Sequence, residues 1–197
     1  MRHVFLDVET QKSFEEVGGY FPAQLGVSFV GICIREGFQG PGEFKGFFEK
    51  DLPKLWPILE TADVIVGFNI TDFDMETLRP YYSGNVEQLN VLDLLTRFKQ
   101  AAGHRISLDA IAQETLGKGK TGDGLDAIRY YKAGQFRELA KYCLHDVAIT
   151  RDVYDYGKKN SRVKFVNKWS RKIEVPVDFS FTPTRGAGIQ MTLLPLG

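Results

Sequence analysis

Apolar and polar positions alternate from the first residues of the chain. In HVFLDVE (3–9), Val4, Leu6 and Val8 fall on one side of an extended segment, and His3, Phe5, Asp7 and Glu9 fall on the other. That alternation predicts a strand with two unlike faces. Residues 10–25, punctuated by Gly18, Gly19 and Pro22, read as a loop. GVSFVGICIRE (26–36) and FKGFF (44–48) predict two further strands, forming a meander with the first. DLPKLWPILETA (51–62) predicts a helix capped by Asp51, and DVIVGF (63–68) a short, fully apolar strand of the buried kind. A helix is expected to start at Thr71 and place Asp74 in its first turn; LNVLDL (89–94) reads as a strand running into another helix.

The second half of the chain is helical in pattern. SLDAIAQETLG (107–117) predicts a helix with Ser107 as cap and Gly117 as stop, and a Gly/Lys loop and LDAIRYYKAG follow. Residues 135–157 predict one long amphipathic helix ended by Gly157. Strand-like pieces, RVKFVNKW and RKIEVPVDF, come after it. Strands followed by alternating strands and helices imply an α/β fold, a mixed sheet with helices packed on it. The expected organisation is one domain over 1–157 and a basic C-terminal extension over 158–197, a β-hairpin plus tail.

Composition changes this picture in one respect. The 197 residues carry 25 basic and 25 acidic side chains, yet residues 1–156 have a net charge of −6 and residues 157–197 of +6. The run from Lys158 to Lys172 contains no acid, which suits either a polyanion partner or a solvated basic face. Phe165 and Trp169 lie within that run as candidates for base stacking, or as inward-packing residues of a hairpin. Cys33 and Cys143 stand in apolar surroundings, so a disulfide framework is not expected and a reducing, cytoplasmic setting is. No apolar run approaches the roughly 18 residues of a membrane span, and the N-terminus does not read as a signal peptide. Gly117–Gly122 lacks the spacing of a phosphate-binding loop, which excludes a nucleotide-hydrolysing reading.

The candidate chemistry lies in carboxylates. Asp7 and Glu9, two apart on a strand, share a face; they are either a repelling pair that a divalent cation would stabilise or a strand end facing water. Asp74 follows the buried strand in GFNITDFD, at the strand-to-helix junction where sites form. Taken by itself it reads first as a first-turn helix acid favoured by the helix dipole. Asn69 offers a side-chain amide to a phosphate or base, and Phe73 a flat surface beside the acid. Tyr142 and Asp146, four apart, share a face of the long helix with Leu139 and Ile149; they are either an acid placed beside the core with its tyrosine, or a helix-surface acid near Lys141 and a tyrosine packed in the core. His145 points about 100° away from Asp146 and reads as incidental. His104 has no partner at ligand spacing.

In order along the chain these residues read D-x-E, N-x-x-x-F-D and Y-x-x-x-D. FLDVET, GFNITDFDMETL and YCLHDV resemble the three motifs of the DEDD exonuclease superfamily. The second and third are most similar to the proofreading domain of family B DNA polymerases. SLDAIAQETLG and KTGDGLDAIRYYKAGQ resemble the same group, so the likeness covers roughly residues 2–157. Tyr142 marks the tyrosine subclass; the histidine subclass would need His where Lys141 stands.

The resemblance implies a ribonuclease H-like fold, a central mixed β-sheet flanked by α-helices, with two Mg²⁺ or Mn²⁺ ions. Asp7, Glu9 and Asp146 would hold one ion, Asp7 would bridge to the second, Asp74 would act on the second, and Tyr142 would orient the attacking water. Thr10, Asn69, Phe73, Lys118 and Lys120 are the candidate substrate contacts. The implied activity is 3′→5′ exonucleolytic hydrolysis of phosphodiester bonds on a single-stranded 3′ end, DNA before RNA, in replication or repair. An exoribonuclease on the same fold and a catalytically inactive nucleic-acid-binding module are the alternatives. Residues 190–194, QMTLL, resemble the short peptides by which bacterial replication proteins bind a sliding clamp.

Overall fold

The structure, a computed structural model, describes residues 1–38, 40–119 and 124–183. Five strands form the main sheet: β1 (Arg2–Thr10), β2 (Val27–Glu36), β3 (Glu43–Phe48), β4 (Val64–Gly67) and β5 (Val91–Asp93), in spatial order β3-β2-β1-β4-β5. The β1–β2 and β2–β3 pairs are antiparallel, while β1–β4 and β4–β5 are parallel. The helices are α1 (Trp56–Glu60), α2 (Asp74–Leu78), α3 (Leu94–Ala102), α4 (Leu108–Leu116), α5 (Gly124–Lys132) and α6 (Phe136–Asn160). A hairpin of β6 (Arg162–Val166) and β7 (Lys172–Pro176) follows.

The period-two pattern of β1 sorts its side chains as expected. Val4, Leu6 and Val8 join Val30, Ile32, Leu55, Leu59, Ile65 and Ile70 in a core on one face. Phe5 faces the opposite core, with Phe98 of α3, Ile111 of α4 and Val147 and Val153 of α6. The hairpin's Val163, Phe165 and Val175, with Phe179 beyond it, share that second core. Burial of these side chains at roughly 25 cal/mol per Å² supplies the main driving force.

Gly31 of β2 lies opposite Asp7 in the β1–β2 register. A Cβ there would stand 2.9 Å from Cys143 Sγ, 3.1 Å from Val147 Cγ2 and 3.2 Å from Leu144 Cδ2, all on α6. The bare backbone lets α6 lie directly on the sheet over β1 and β2. Farther along, Arg35 of β2, with 3% of its side chain exposed, makes two 2.7 Å hydrogen bonds to the Asp155 carboxylate of α6. Together these contacts fix both the height and the direction of the long helix.

Several expected boundaries differ. Residues 49–54 form a 3-10 helix, with Asp51 inside it and bonded to Lys54 rather than capping a helix. Pro53 and Pro57 break what the pattern presented as one helix into that turn and the short α1. α2 begins at Asp74, not at Thr71, because Asp93 holds residues 69–71 in a turn. Gly157 does not end α6; a side chain there would overlap the ring of Phe179, so the glycine serves packing, and the helix runs on to a left-handed Ser161. Phe165 is buried while Trp169 is exposed, which separates two residues that sequence alone treats as a pair. Lys120 and residues 190–194 lie outside the described residues.

Candidate active site

The site forms where β1 outruns β4 and the chain leaves β4 and β5. Asp7 and Glu9 project from β1 toward α6, the face opposite Val8, and Glu9 is buried. Between Glu9 and Thr10 the β1–β2 register slips, a bulge that admits Ser28 as an extra residue in β2. Bulges recur beside active sites because they re-aim the strand. Thr10 is buried, with its hydroxyl donating to the Lys12 carbonyl at 3.0 Å.

After β4 the chain turns through Asn69, whose φ of 65° is left-handed. Asp93, at the end of β5, organises this turn: its carboxylate accepts from Asn69 N at 2.9 Å, from Thr71 N at 3.3 Å and from Leu95 N at 2.9 Å. The last of these bonds caps α3. The turn delivers Asp74 to β1, where its Oδ1 accepts from Val8 N at 2.8 Å. Burial, and next the charge of Asp7, push the Asp74 carboxyl well above the ordinary carboxylate range; the Val8 N–H pulls it the other way. Asp74 is thus buried and tied to the backbone of the residue that follows Asp7.

α6 brings the third motif. Tyr142, Cys143 and Asp146 are all buried on the side of the helix that faces β1 and β2. Tyr142 packs with Phe29, Ala127 and Leu139. The Cys143 thiol donates to the Asp7 carbonyl at 3.4 Å and to Asp7 Oδ2 at 3.5 Å. Burial pushes that thiol well up, and the charges of Asp7, Glu9 and Asp146 push it further in the same direction. Asp7 and Glu9 of β1 thus stand against a thiol of α6, with Asp146 three residues farther along that helix. Asp7, Glu9 and Cys143 each bring a ligand atom within 4.8 Å of the others.

The chemistry of this donor set fits a hard divalent cation. Carboxylate oxygens are the ligands of Mg²⁺, Mn²⁺ and Ca²⁺, and clustered buried carboxylates repel until a cation joins them. A thiol is a soft ligand outside that oxygen set, and here the Cys143 S–H donates to Asp7.

Around this centre the predicted substrate residues divide. Phe73 is half-buried and meets Phe14 edge-on at 6.0 Å; Phe14 stacks on Tyr20 at 4.6 Å, and Tyr20 Oη donates to the Asp72 carbonyl at 3.1 Å. The loop after β1 is thereby folded into an aromatic ledge beside Asp74. Asn69 sits at the turn that leads to Asp74. Lys118 lies after α4, bonded to Asp152 at 3.1 Å.

Three residues escaped the sequence reading. Cys143 does pack in an apolar cluster with Phe29, Ala127 and Leu139, as its sequence neighbours imply, but its thiol also meets Asp7, and only its position three before Asp146 on a helix signals the shared face. Asp93 carries its own signal, an acid at a strand-to-helix boundary. His145 is not idle: its Nε2 lies 3.3 Å from the Gly119 carbonyl and ties the loop after α4 to the site helix.

The family model of the RNase_H superfamily, RNase_H_2, matches residues 4–157. The chain belongs to this superfamily. Its sheet and flanking helices are accordingly the ribonuclease H-like α/β fold. No curated protein matches this ribonuclease H-type chain. Among solved structures it resembles the family B DNA polymerase of the hyperthermophilic archaeon Pyrobaculum calidifontis, with a TM-score of 0.58 and 15% identity over 81% of this chain and 24% of the polymerase. It also resembles E. coli exonuclease I, solved with a dA16 oligonucleotide, with a TM-score of 0.46 and 15% identity over 80% of this chain and 41% of the exonuclease. The chain thus spans well under half the length of either protein.

Proposed function

We propose that the protein is a divalent-cation-dependent nuclease that removes nucleotides from the 3′ end of a single strand, acting on DNA before RNA. The observation that carries this reading is the gathering of Asp7 and Glu9 of β1 against Cys143 of α6 within 4.8 Å, with buried Asp74 bonded to the Val8 N–H between them and buried Asp146 one turn along α6. Membership of the ribonuclease H superfamily agrees with it. The 3′ polarity, the preference for DNA and the tyrosine-type assignment rest on the likeness of the three motifs to polymerase exonucleases.

In this reading Asp7, Glu9, Asp74 and Asp146 hold two Mg²⁺ or Mn²⁺ ions. Bound there, such ions supply the Lewis acidity that makes a water nucleophilic near neutral pH and stabilises the leaving oxygen. The chain does the rest. Tyr142, seated against Phe29 and Leu139, holds the attacking water by hydrogen bond. The Cys143 S–H fixes the orientation of Asp7. The Phe73 ledge receives the terminal base by stacking, and Thr10, Asn69, Lys118 and Lys120 complete the substrate side.

The test uses 5′-labelled single-stranded DNA and RNA with Mg²⁺ or Mn²⁺. The wild type should give a ladder shortening from the 3′ end. Asp7→Ala should lower the rate by orders of magnitude, and Tyr142→Phe by less. Discrete internal cuts would replace the exonuclease reading with an endonuclease. No cleavage of any substrate would overturn the proposal.

A further inference from the structure

A second feature of the molecule points to nucleic acid, away from the acids. A cleft of about 750 Å³ lies between the turn joining α3 to α4 and the β6–β7 hairpin. Its lining includes Arg105, Phe165, Asn167, Lys168 and Trp169, and among the described residues no acid lines it. Phe165 forms part of the floor, buried and edge-on to His104 at 5.8 Å. Trp169 stands at the hairpin tip and is 68% exposed, more than any other large hydrophobic residue described.

The tip is built to hold that indole outward. Asn167 Oδ1 accepts from Trp169 N at 3.0 Å and from Arg171 N at 3.1 Å, and Asn167 N donates to the Arg171 carbonyl at 2.9 Å. The turn therefore closes through Asn167 and needs no help from a tryptophan side chain. The Lys168 ammonium lies 4.6 Å from the centre of the indole, so a cation and an aromatic face are presented together. An exposed aromatic flanked by Lys168 and Arg105, in a segment without acids from Lys158 to Lys172, is complementary to a base and its phosphates. The cleft's size is that of a small-molecule site, enough for a nucleotide unit.

Its position gives it a use. α3 starts at Asp93 beside the acid centre and ends at Gly103 beside the cleft. Ala101 and Ala102 at the end of α3 line the cleft, so this helix of nine residues, about 14 Å long, links the acids to it.

We propose that this cleft is a second binding site for single-stranded nucleic acid: Trp169 stacks on a base, and Arg105 and Lys168 meet its phosphates, several nucleotides from the end at the acids. The link to cleavage rests on the nuclease reading above; the binding itself does not.

The test has two arms. Trp56→Phe leaves Trp169 as the sole tryptophan. Adding sixteen-residue oligo-dT in EDTA should then quench its emission, and the quenching should weaken with salt. In the second arm, kcat/KM is compared between a sixteen-nucleotide and a three-nucleotide substrate. Trp169→Ala should shrink the preference for the longer strand about 5–150-fold, the equivalent of one lost base stack, while Trp169→Phe keeps most of it. Emission indifferent to oligo-dT, or a length preference equal in Trp169→Ala and wild type, overturns the cleft even if the enzyme cuts normally. Quenching by oligo-dT in a protein that cuts nothing supports the cleft and removes the nuclease reading.

Discussion

Adding one methyl group to Gly31 should disable the site without touching an acid. The Cβ of Gly31→Ala would stand 2.9 Å from Cys143 Sγ, where ordinary contact begins near 3.4 Å, so α6 must lift by about 0.5 Å. Cys143, Val147 and Leu144 crowd the position together, so no single side chain can rotate away and solve it. Overpacking of this kind costs about 1–3 kcal/mol. The alanine returns about 0.4–1 kcal/mol by stiffening the unfolded chain. The net expectation is a loss of stability of up to about 2.6 kcal/mol, read from urea denaturation. The kinetic effect should be larger in proportion. Since a 1 Å misplacement of reacting groups can cost about a hundredfold, a lift of half that should lower kcat about tenfold. Adding Cys143→Ala removes the closest contact and should restore part of the stability. A Gly31→Ala protein as stable and as active as the wild type would refute the claim that α6 is seated on bare backbone here.

The remaining predictions concern the supports of the fold. Asp155→Ala strands the buried Arg35 guanidinium; it should cost toward the lower end of about 3–5 kcal/mol, because Asp155 keeps 32% of its side chain exposed, and an unchanged denaturation midpoint would contradict that. Burial, and then the Arg35 guanidinium, hold His3 below its ordinary value of 6.5, so the unfolded chain takes up this proton before the folded one does. The stability associated with a neutral His3 is complete above pH 6.5 and is lost as pH falls from there toward the folded value. His3→Gln should flatten that part of a stability curve measured from pH 8 to pH 5, and an unaltered slope would show that another group is responsible.

Much of the fold could be read from periodicity because its strands have two unlike faces. Val4, Leu6 and Val8 against Phe5, Asp7 and Glu9 is a pattern that only one register satisfies. Ser107 and Gly117 bound α4 as their residue types predict, since capping is a local interaction. What escaped is what depends on a distant partner. Gly157 looks like a helix stop until Phe179 is known to lie against it. Thr71 is a good cap by type, but Asp93, some twenty residues later in the chain, claims its backbone. The acids were legible as an ordered set, and Cys143 was not, because a cysteine among apolar neighbours in sequence gives no hint that carboxylates from another element close over it.

In this reading acids from three separate segments form one cation-binding centre, and titration of the whole protein with Mn²⁺, followed by electron paramagnetic resonance, reads its occupancy. Asp146 is the most distant of the four in sequence from Asp7, so Asp146→Asn is the decisive variant. Loss of free Mn²⁺ signal in the wild type, with affinity at least tenfold weaker in Asp146→Asn, is the predicted result. A wild type that leaves the ion free, or an Asp146→Asn protein that binds it equally well, would rule that centre out.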